Sequence, residues 1–199
     1  MRGIEAQHPG ERVEVWFEDE ARFGQQGTLG HADAGVGEDR LAAVGGAADA
    51  VPVPVGTSTC GYQYLWVLTA VCPKTGAAEG LISPCLNAGV VDKFLQQFSA
   101  SLAEGVHAVL AWDGAGFHTA KALRVPDNVT LLTLPPRSPE LMPVENLWHY
   151  EREHYWANRK YDDYPALEDA AREGWRAVCL DREKVKSVCA VPWLEQRAN

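Results

Sequence analysis

The stretch from Val106 to Trp148 constrains the fold more than any other part of this 199-residue chain. It opens with a short apolar run that ends in Asp113-Gly114, and such runs closed by glycine are typical of buried strands and their exit turns. A second apolar run, Val129 to Leu134, leads through a proline-rich turn into a helix that carries Glu145 in its first turn. The pattern therefore predicts one carboxylate at the end of a core strand and another at the start of the helix after the next strand.

A third carboxylate, Asp19, ends the first strand-like run, which begins at Val13 and is rich in β-branched and aromatic residues. Residues 13, 15, 17 and 19 share one face of a strand, and Asp19 is the only charge on that face. Glu18 and Glu20 are expected to point to the opposite face. Taken alone, an aspartate in this place is more often a simple turn residue than part of a site.

The remaining periodicity predicts the other elements. A hairpin is predicted from Tyr62 to Ile82, an amphipathic helix from Ala88 to Leu102, and a last helix from about Tyr164 to Cys179. Arg22 to Leu29 is a candidate short strand, and Thr119 to Val125 a short helix. The order predicts an α/β fold with a mixed sheet of about five strands, an antiparallel meander followed by parallel strands, flanked by helices. That is the order of the ribonuclease H-like fold.

Composition bounds the class of protein. The length suits one domain with a sizeable core, and no apolar run reaches the roughly 18 residues that a membrane span needs. The N-terminus lacks the apolar core of a signal peptide, so a cytoplasmic protein without a membrane partner is predicted. The five cysteines are widely spread without a Cys-x-x-Cys pair, which argues against zinc and against a disulfide framework.

The net charge of −9 opposes the basic surface typical of nucleic-acid binders. Any contact with nucleic acid must therefore rest on local basic clusters or on another domain. Residues 30–56 are rich in Ala, Gly, Val and Asp and contain no aromatic residue, so they have little to pack. We predict that this segment is a loose insertion that forms no stable hairpin, with a composition like that of GC-rich DNA translated in a shifted frame.

Three runs resemble the catalytic blocks of mariner-type bacterial insertion-sequence transposases, which are DDE enzymes that cut and rejoin transposon ends. The runs are Trp16 to Gly24, Trp112 to His118 and Leu134 to Trp148. The third run is the most specific, and the occurrence of all three in this order is highly specific. By this resemblance, residues 1–199 are a single DDE catalytic domain with a ribonuclease H-like fold.

The resemblance implies that Asp19, Asp113 and Glu145 are the catalytic residues and the metal ligands. It implies Mg²⁺ as the cofactor, with Mn²⁺ as a substitute. Hard divalent cations prefer oxygen ligands, and two of them about 4 Å apart activate an attacking oxygen and stabilise a leaving one on the same phosphate. The implied reaction is cleavage of double-stranded DNA at transposon ends, followed by strand transfer into target DNA.

Basic residues near the three blocks are candidate DNA contacts: His118, Lys121, Arg137 and Arg152. The family also has a histidine at the position of His118, and arginine and lysine side chains suit phosphate groups. For each of them an ordinary solvated charge is the competing role. Trp148 follows Glu145 by three residues, so it lies on nearly the same helix face, where packing in the core is expected.

The chain also departs from the family pattern. Met142 stands where asparagine is usual, and Arg137 stands where tyrosine is usual. The family carries N-terminal helix-turn-helix domains that are absent here, so a separately encoded helix-turn-helix partner is expected, together with a homodimer. Two alternatives stay open. One is an inactive transposase remnant that folds without cutting and binds the intact enzyme, and the other is a ribonuclease H-like nuclease that hydrolyses without strand transfer.

Overall fold

The architecture is a mixed sheet with helices on both of its faces. The computed structural model describes residues 2–24, 42–43, 64–114, 123–135, 138–157 and 159–195. The strands within these ranges are β1 (Arg12–Gly24), β2 (Ala42–Ala43), β3 (Tyr64–Cys72), β4 (Ala77–Ser83), β5 (Val106–Trp112) and β6 (Val129–Thr133). The helices are α1 (Arg2–Gln7), α2 (Ala88–Ser101), α3 (Val144–Glu151), α4 (Tyr164–Cys179), α5 (Arg182–Val188) and α6 (Pro192–Glu195). A 3₁₀ turn, Pro139–Leu141, precedes α3, and a π-helical turn, Arg152–Trp156, extends it.

The strands of the described sheet lie in the order β2-β4-β3-β1-β5-β6. β1 pairs with β3 in the antiparallel sense, and β3 with β4. On its other side β1 pairs with β5 in the parallel sense, and β5 pairs in parallel with β6. The predicted meander followed by parallel strands is therefore present, and β1 lies between the two halves of the sheet.

Each face of the sheet has its own hydrophobic core, because apolar residues alternate along β1. Trp16 faces α2, whereas Phe17 faces α3, α4 and α5. The first core is completed by buried residues of α2: Val90, Val91, Phe94, Leu95 and Phe98. The second is completed by buried residues of α3 and α4: Val144, Leu147, Trp148, Leu167, Ala171, Trp175 and Val178. Among the described helices, none is long and apolar enough to cross a bilayer.

Most predicted boundaries are confirmed, and two short elements are not. Arg22 to Gly24 continue β1 instead of starting a new strand, because the ladder with β3 runs on through Gly24 paired with Tyr64. The predicted helix from Thr119 is not helical in its described part, Leu123 to Val125. There the backbone N–H of Arg124 donates to Asp92 Oδ1 at 2.9 Å, which ties the segment to α2, and a following proline disfavours helical backbone at Val125.

The described sheet has six strands, where about five were predicted. Ala42–Ala43 pair with Leu81 and Ile82 of β4 and form a two-residue edge strand. The rest of residues 30–56 lies outside the described part of the chain, so the predicted loose insertion stays a prediction.

Candidate active site

Asp19 lies near the middle of β1, opposite Thr69 of β3, with its side chain only partly exposed. Its carboxylate oxygen Oδ2 accepts a hydrogen bond from Nε1 of Trp148, at 3.0 Å. Thr69 is in turn held from α4, because Trp175 donates from Nε1 to its Oγ1 at 2.8 Å. Two buried tryptophans of the helical layer thus fix Asp19 and its neighbour on β3.

Asp113 directly follows β5 and is exposed. The parallel ladder between β1 and β5 ends with Phe17 beside Ala111. Asp19 and Asp113 each lie two residues beyond that pair, so the ladder leads both aspartates to the same edge of the sheet. Asp19 on β1 and Asp113 just after β5 thus come from adjacent strands of the sheet. The charge of Asp113 also reaches across to Glu18, where it helps to raise the pKa of that buried carboxyl.

Glu145 is the second residue of α3 and is exposed, while its helical neighbours Val144, Leu147 and Trp148 are buried. These apolar residues fix the rotation of α3 against β1, and the first turn then presents Glu145 towards Asp19. Met142, where the family usually has asparagine, is buried in the same core and serves to pack the turn before α3.

The pKa of Asp19 depends on the acidic side chains that lie near it. Its pKa is raised to about 7, first by burial, then by the charge of Glu20 and then by that of Glu145. The hydrogen bond from Trp148 acts in the opposite direction, because it stabilises the carboxylate form. The structure therefore brings Glu145 within electrostatic reach of Asp19.

Glu18 is a buried acidic residue of this region, and its burial is not predicted by the sequence. It is on the opposite face of β1, as expected, but it is only 1% exposed. Burial raises its pKa well above the usual range, followed by the charges of Glu20, Asp19 and Asp113. The sequence signal for this residue was its place in a strand, on the face of β1 that also carries the buried Trp16.

The grouped carboxylates suit a hard divalent cation. Asp19, Asp113 and Glu145 offer only oxygen ligands, which Mg²⁺ and Mn²⁺ prefer. The repulsion between Asp19 and Glu145, which contributes to the raised pKa of Asp19, is what a bound cation would neutralise. Neutral nitrogen and sulfur ligands are not part of this set, so its chemistry fits magnesium better than zinc.

Of the four predicted DNA contacts, the structure describes only Arg152. This side chain is exposed in the π-helical turn, seven positions after Glu145. His118, Lys121 and Arg137 lie outside the described residues. A DNA-contact role for all four stays a prediction.

Comparison with known proteins shows the family and finds similar solved structures. Residues 14–168 match the family described as DDE superfamily endonuclease. An uncharacterized protein of Sinorhizobium fredii, y4pE/y4sA, is 37% identical over 131 residues, which is 66% of this chain and 97% of the relative.

The similar solved structures include complexes of the Mos1 transposase. The Mos1 strand transfer complex has a TM-score of 0.53 and 17% identity, over 94% of this chain and 53% of the Mos1 chain. The Mos1 mariner paired end complexes with Mn and with Mg each have a TM-score of 0.52, over 88% of this chain and 51% of theirs, at 16% and 18% identity. This chain thus spans about half the length of these relatives, and the likeness confirms the ribonuclease H-like fold.

Proposed function

Because this chain belongs to the DDE superfamily endonuclease family, we propose that it is the catalytic domain of a transposase that cleaves DNA at transposon ends and transfers the freed strands. The observation that carries the proposal is the hydrogen bond to Asp19 from Trp148, which lies in the same helix as Glu145. It indicates that two acidic residues from separate elements share one site, at the sheet edge where Asp113 follows β5.

In this proposal Asp19, Asp113 and Glu145 hold Mg²⁺ or Mn²⁺, and the Mos1 complexes with Mg and with Mn support that choice. When bound, the metal supplies an activated oxygen nucleophile and stabilises the leaving oxygen on the same phosphate. Trp148 and the core beneath α3 keep the carboxylates in place. Asp19 stands on β1 and Asp113 directly follows β5, so the sheet orients both ligands before substrate arrives.

The proposed substrate is double-stranded DNA, both transposon end and target, because the structural relatives include paired-end and strand-transfer complexes. With a net charge of −9, the chain needs local positive charge to meet phosphates. We assign that contact to His118, Lys121, Arg137 and Arg152. A homodimer and a helix-turn-helix partner complete the proposal, and both would add DNA contacts beyond this domain.

Replacing Asp113 with Asn tests the proposal. The assay incubates purified protein with DNA that carries the sequences flanking its coding region, in Mg²⁺ or Mn²⁺, and separates nicked from joined products. We expect Asp113→Asn and Glu145→Gln to abolish cleavage. The melting temperature of Asp113→Asn should equal or exceed that of the wild type, because the substitution relieves repulsion with Glu18.

Glu140→Gln is the matched control, since it changes an exposed carboxylate in the 3₁₀ turn just before α3 and should leave cleavage intact. Cleavage that survives Asp113→Asn would show that the three carboxylates are not the active site. Hydrolysis without joining would identify a nuclease, and a folded wild-type protein that binds metal without cutting would identify an inactive remnant.

A further inference from the structure

A second group of metal-ligating side chains lies at the opposite end of the sheet from the acidic site. His8 follows α1, Glu11 directly precedes β1, and His107 is the second residue of β5. The ligand atoms of these three side chains all lie within 4.8 Å of one another. His107 and Asp113 are six positions apart along the chain, which corresponds to about 20 Å at 3.3 Å per residue. The two sites are therefore independent.

The two histidines face one carboxylate oxygen. Nδ1 of His8 is 3.2 Å from Oε2 of Glu11, and Nδ1 of His107 is 3.4 Å from the same oxygen. The imidazole rings lie face to face, with centroids 3.5 Å apart and planes inclined by 25°. Two nitrogen donors and one oxygen donor thus converge on a small volume.

His107 is held in a fixed orientation before any metal binds. Its side chain is only 1% exposed, and Nε2 lies 2.8 Å from Oγ1 of Thr130 on β6, which fixes the orientation of the ring. Nδ1 is left facing the cluster and makes no regular hydrogen bond with any described group. The fold thus orients this buried ring with Nδ1 towards Glu11.

The backbone around the cluster is fixed by the fold. Val13 pairs with His107 across the parallel ladder, and the N–H of Arg12 donates to the carbonyl of Gly105 at 2.7 Å. The N–H of Glu11 donates to the carbonyl of His8 at 3.2 Å, which closes the turn between the two ligands. The positions of the three donors therefore follow from the sheet and from one tight turn.

We propose that His8, Glu11 and His107 form a binding site for a transition-metal ion of the zinc class, with water as the remaining ligand. Two imidazoles and one carboxylate are a known ligand set for zinc, whereas magnesium prefers oxygen alone. Binding requires the His8 ring to tilt out of the stack, which its position in a partly exposed turn permits. The ion would fasten the segment of α1 to the first residues of β1 and β5.

The test is binding of Co²⁺ and Zn²⁺ in a large excess of Mg²⁺, which occupies sites made of oxygen ligands. Co²⁺ is followed by its visible absorption, and Zn²⁺ by calorimetry and by the rise in melting temperature. We expect one site per chain, with affinity at least tenfold lower in His8→Ala and in Glu11→Gln. Asp113→Asn should keep the site unchanged, which separates this inference from the proposed catalytic function.

His149→Ala is the matched control, because His149 pairs with Glu153 at 3.3 Å on an exposed helical surface that offers no third ligand among the described residues. It should bind Zn²⁺ as the wild type does. Equal Zn²⁺ affinity in His8→Ala and wild type would overturn the proposal. So would a wild type that binds no Zn²⁺, which would leave the cluster as a metal-free contact between α1 and the sheet.

Discussion

At the scale of single residues, Asp19 links protonation to metal binding. Its pKa of about 7 means that a proton competes with a cation for this carboxylate below neutral pH. We predict that Mn²⁺ affinity, measured by calorimetry, rises about tenfold per pH unit up to about pH 7 and then levels off. Trp148→Phe removes a hydrogen bond that lowers this pKa, so its plateau should begin at higher pH. An affinity that stays constant between pH 6 and pH 8 would contradict the assignment of Asp19 as a ligand.

A second residue, Glu151, is buried, and the sequence suggests no function for it. Its side chain is 0% exposed, and neither carboxylate oxygen has a hydrogen-bond partner among the described residues. Burial raises its pKa to about 8. Because the folded-state pKa exceeds the unfolded value, the contribution of Glu151 to stability is greatest below about pH 4.5. That contribution is lost as the pH rises towards 8.

Glu151→Gln should therefore stabilise the fold at neutral pH. Keeping Glu151 buried costs the folded state about 1.4 kcal/mol for each pH unit between the unfolded pKa and the solution pH. At pH 7 this cost is roughly 3 kcal/mol. We expect a gain of up to that size in the free energy of unfolding at pH 7 and almost none at pH 4, measured with urea. Glu153→Gln, an exposed carboxylate two positions along, should show no such pH dependence. A gain that is equal at both pH values would disprove the buried charge as its cause.

At the scale of elements, the turn between β3 and β4 is docked on the start of α5. Gly76 has φ +71°, and a Cβ there would overlap the backbone carbonyl of Arg182. Gly105 has a similar φ of +72°, but open space surrounds its Cβ position. We predict that Gly105→Ala costs about 1–2 kcal/mol for the left-handed backbone alone. Gly76→Ala should cost clearly more, because α5 must also move. Equal losses on urea unfolding would show that this docking contributes nothing.

The same scale shows what the sequence could predict. The hairpin, α2 and α4 were predicted almost to the residue, because each is encoded by local periodicity and by its turn or cap residues. The order of strands followed from the spacing of the apolar runs along the chain and is present in the sheet.

Contacts between distant residues were beyond the reach of sequence patterns. The hydrogen bond from Trp148 to Asp19, the burial of Glu18 and Glu151, and the meeting of His8 with His107 each depend on how separate elements pack. A pattern in one segment carries no information about which segment covers it. Likewise, His8 and His107 are far apart in the sequence, so no short motif predicts that the sheet brings them together.

At the scale of the whole molecule, the insertion at residues 30–56 is expected to be dispensable for folding. Within the described residues, it contributes only Ala42–Ala43 at the edge of the sheet. Alanine has little apolar surface to bury, so we predict that deleting residues 33–50 lowers the free energy of unfolding by less than about 2 kcal/mol. DNA binding and strand transfer should weaken more than stability does. A large drop in melting temperature would show that this segment packs on the sheet.

The position of β1 between β3 and β5 has a consequence for biosynthesis. The ribosome makes β1 first, yet its antiparallel partner begins only at Tyr64 and its parallel partner only at Val106. During that interval β1 is exposed on the nascent chain with two open edges and with Trp16 and Phe17 uncovered, which favours chaperone binding and misassociation. The acidic site closes later still, once Glu145 has left the exit tunnel, so the growing chain cannot assemble the full set of carboxylates before its sheet is nearly complete.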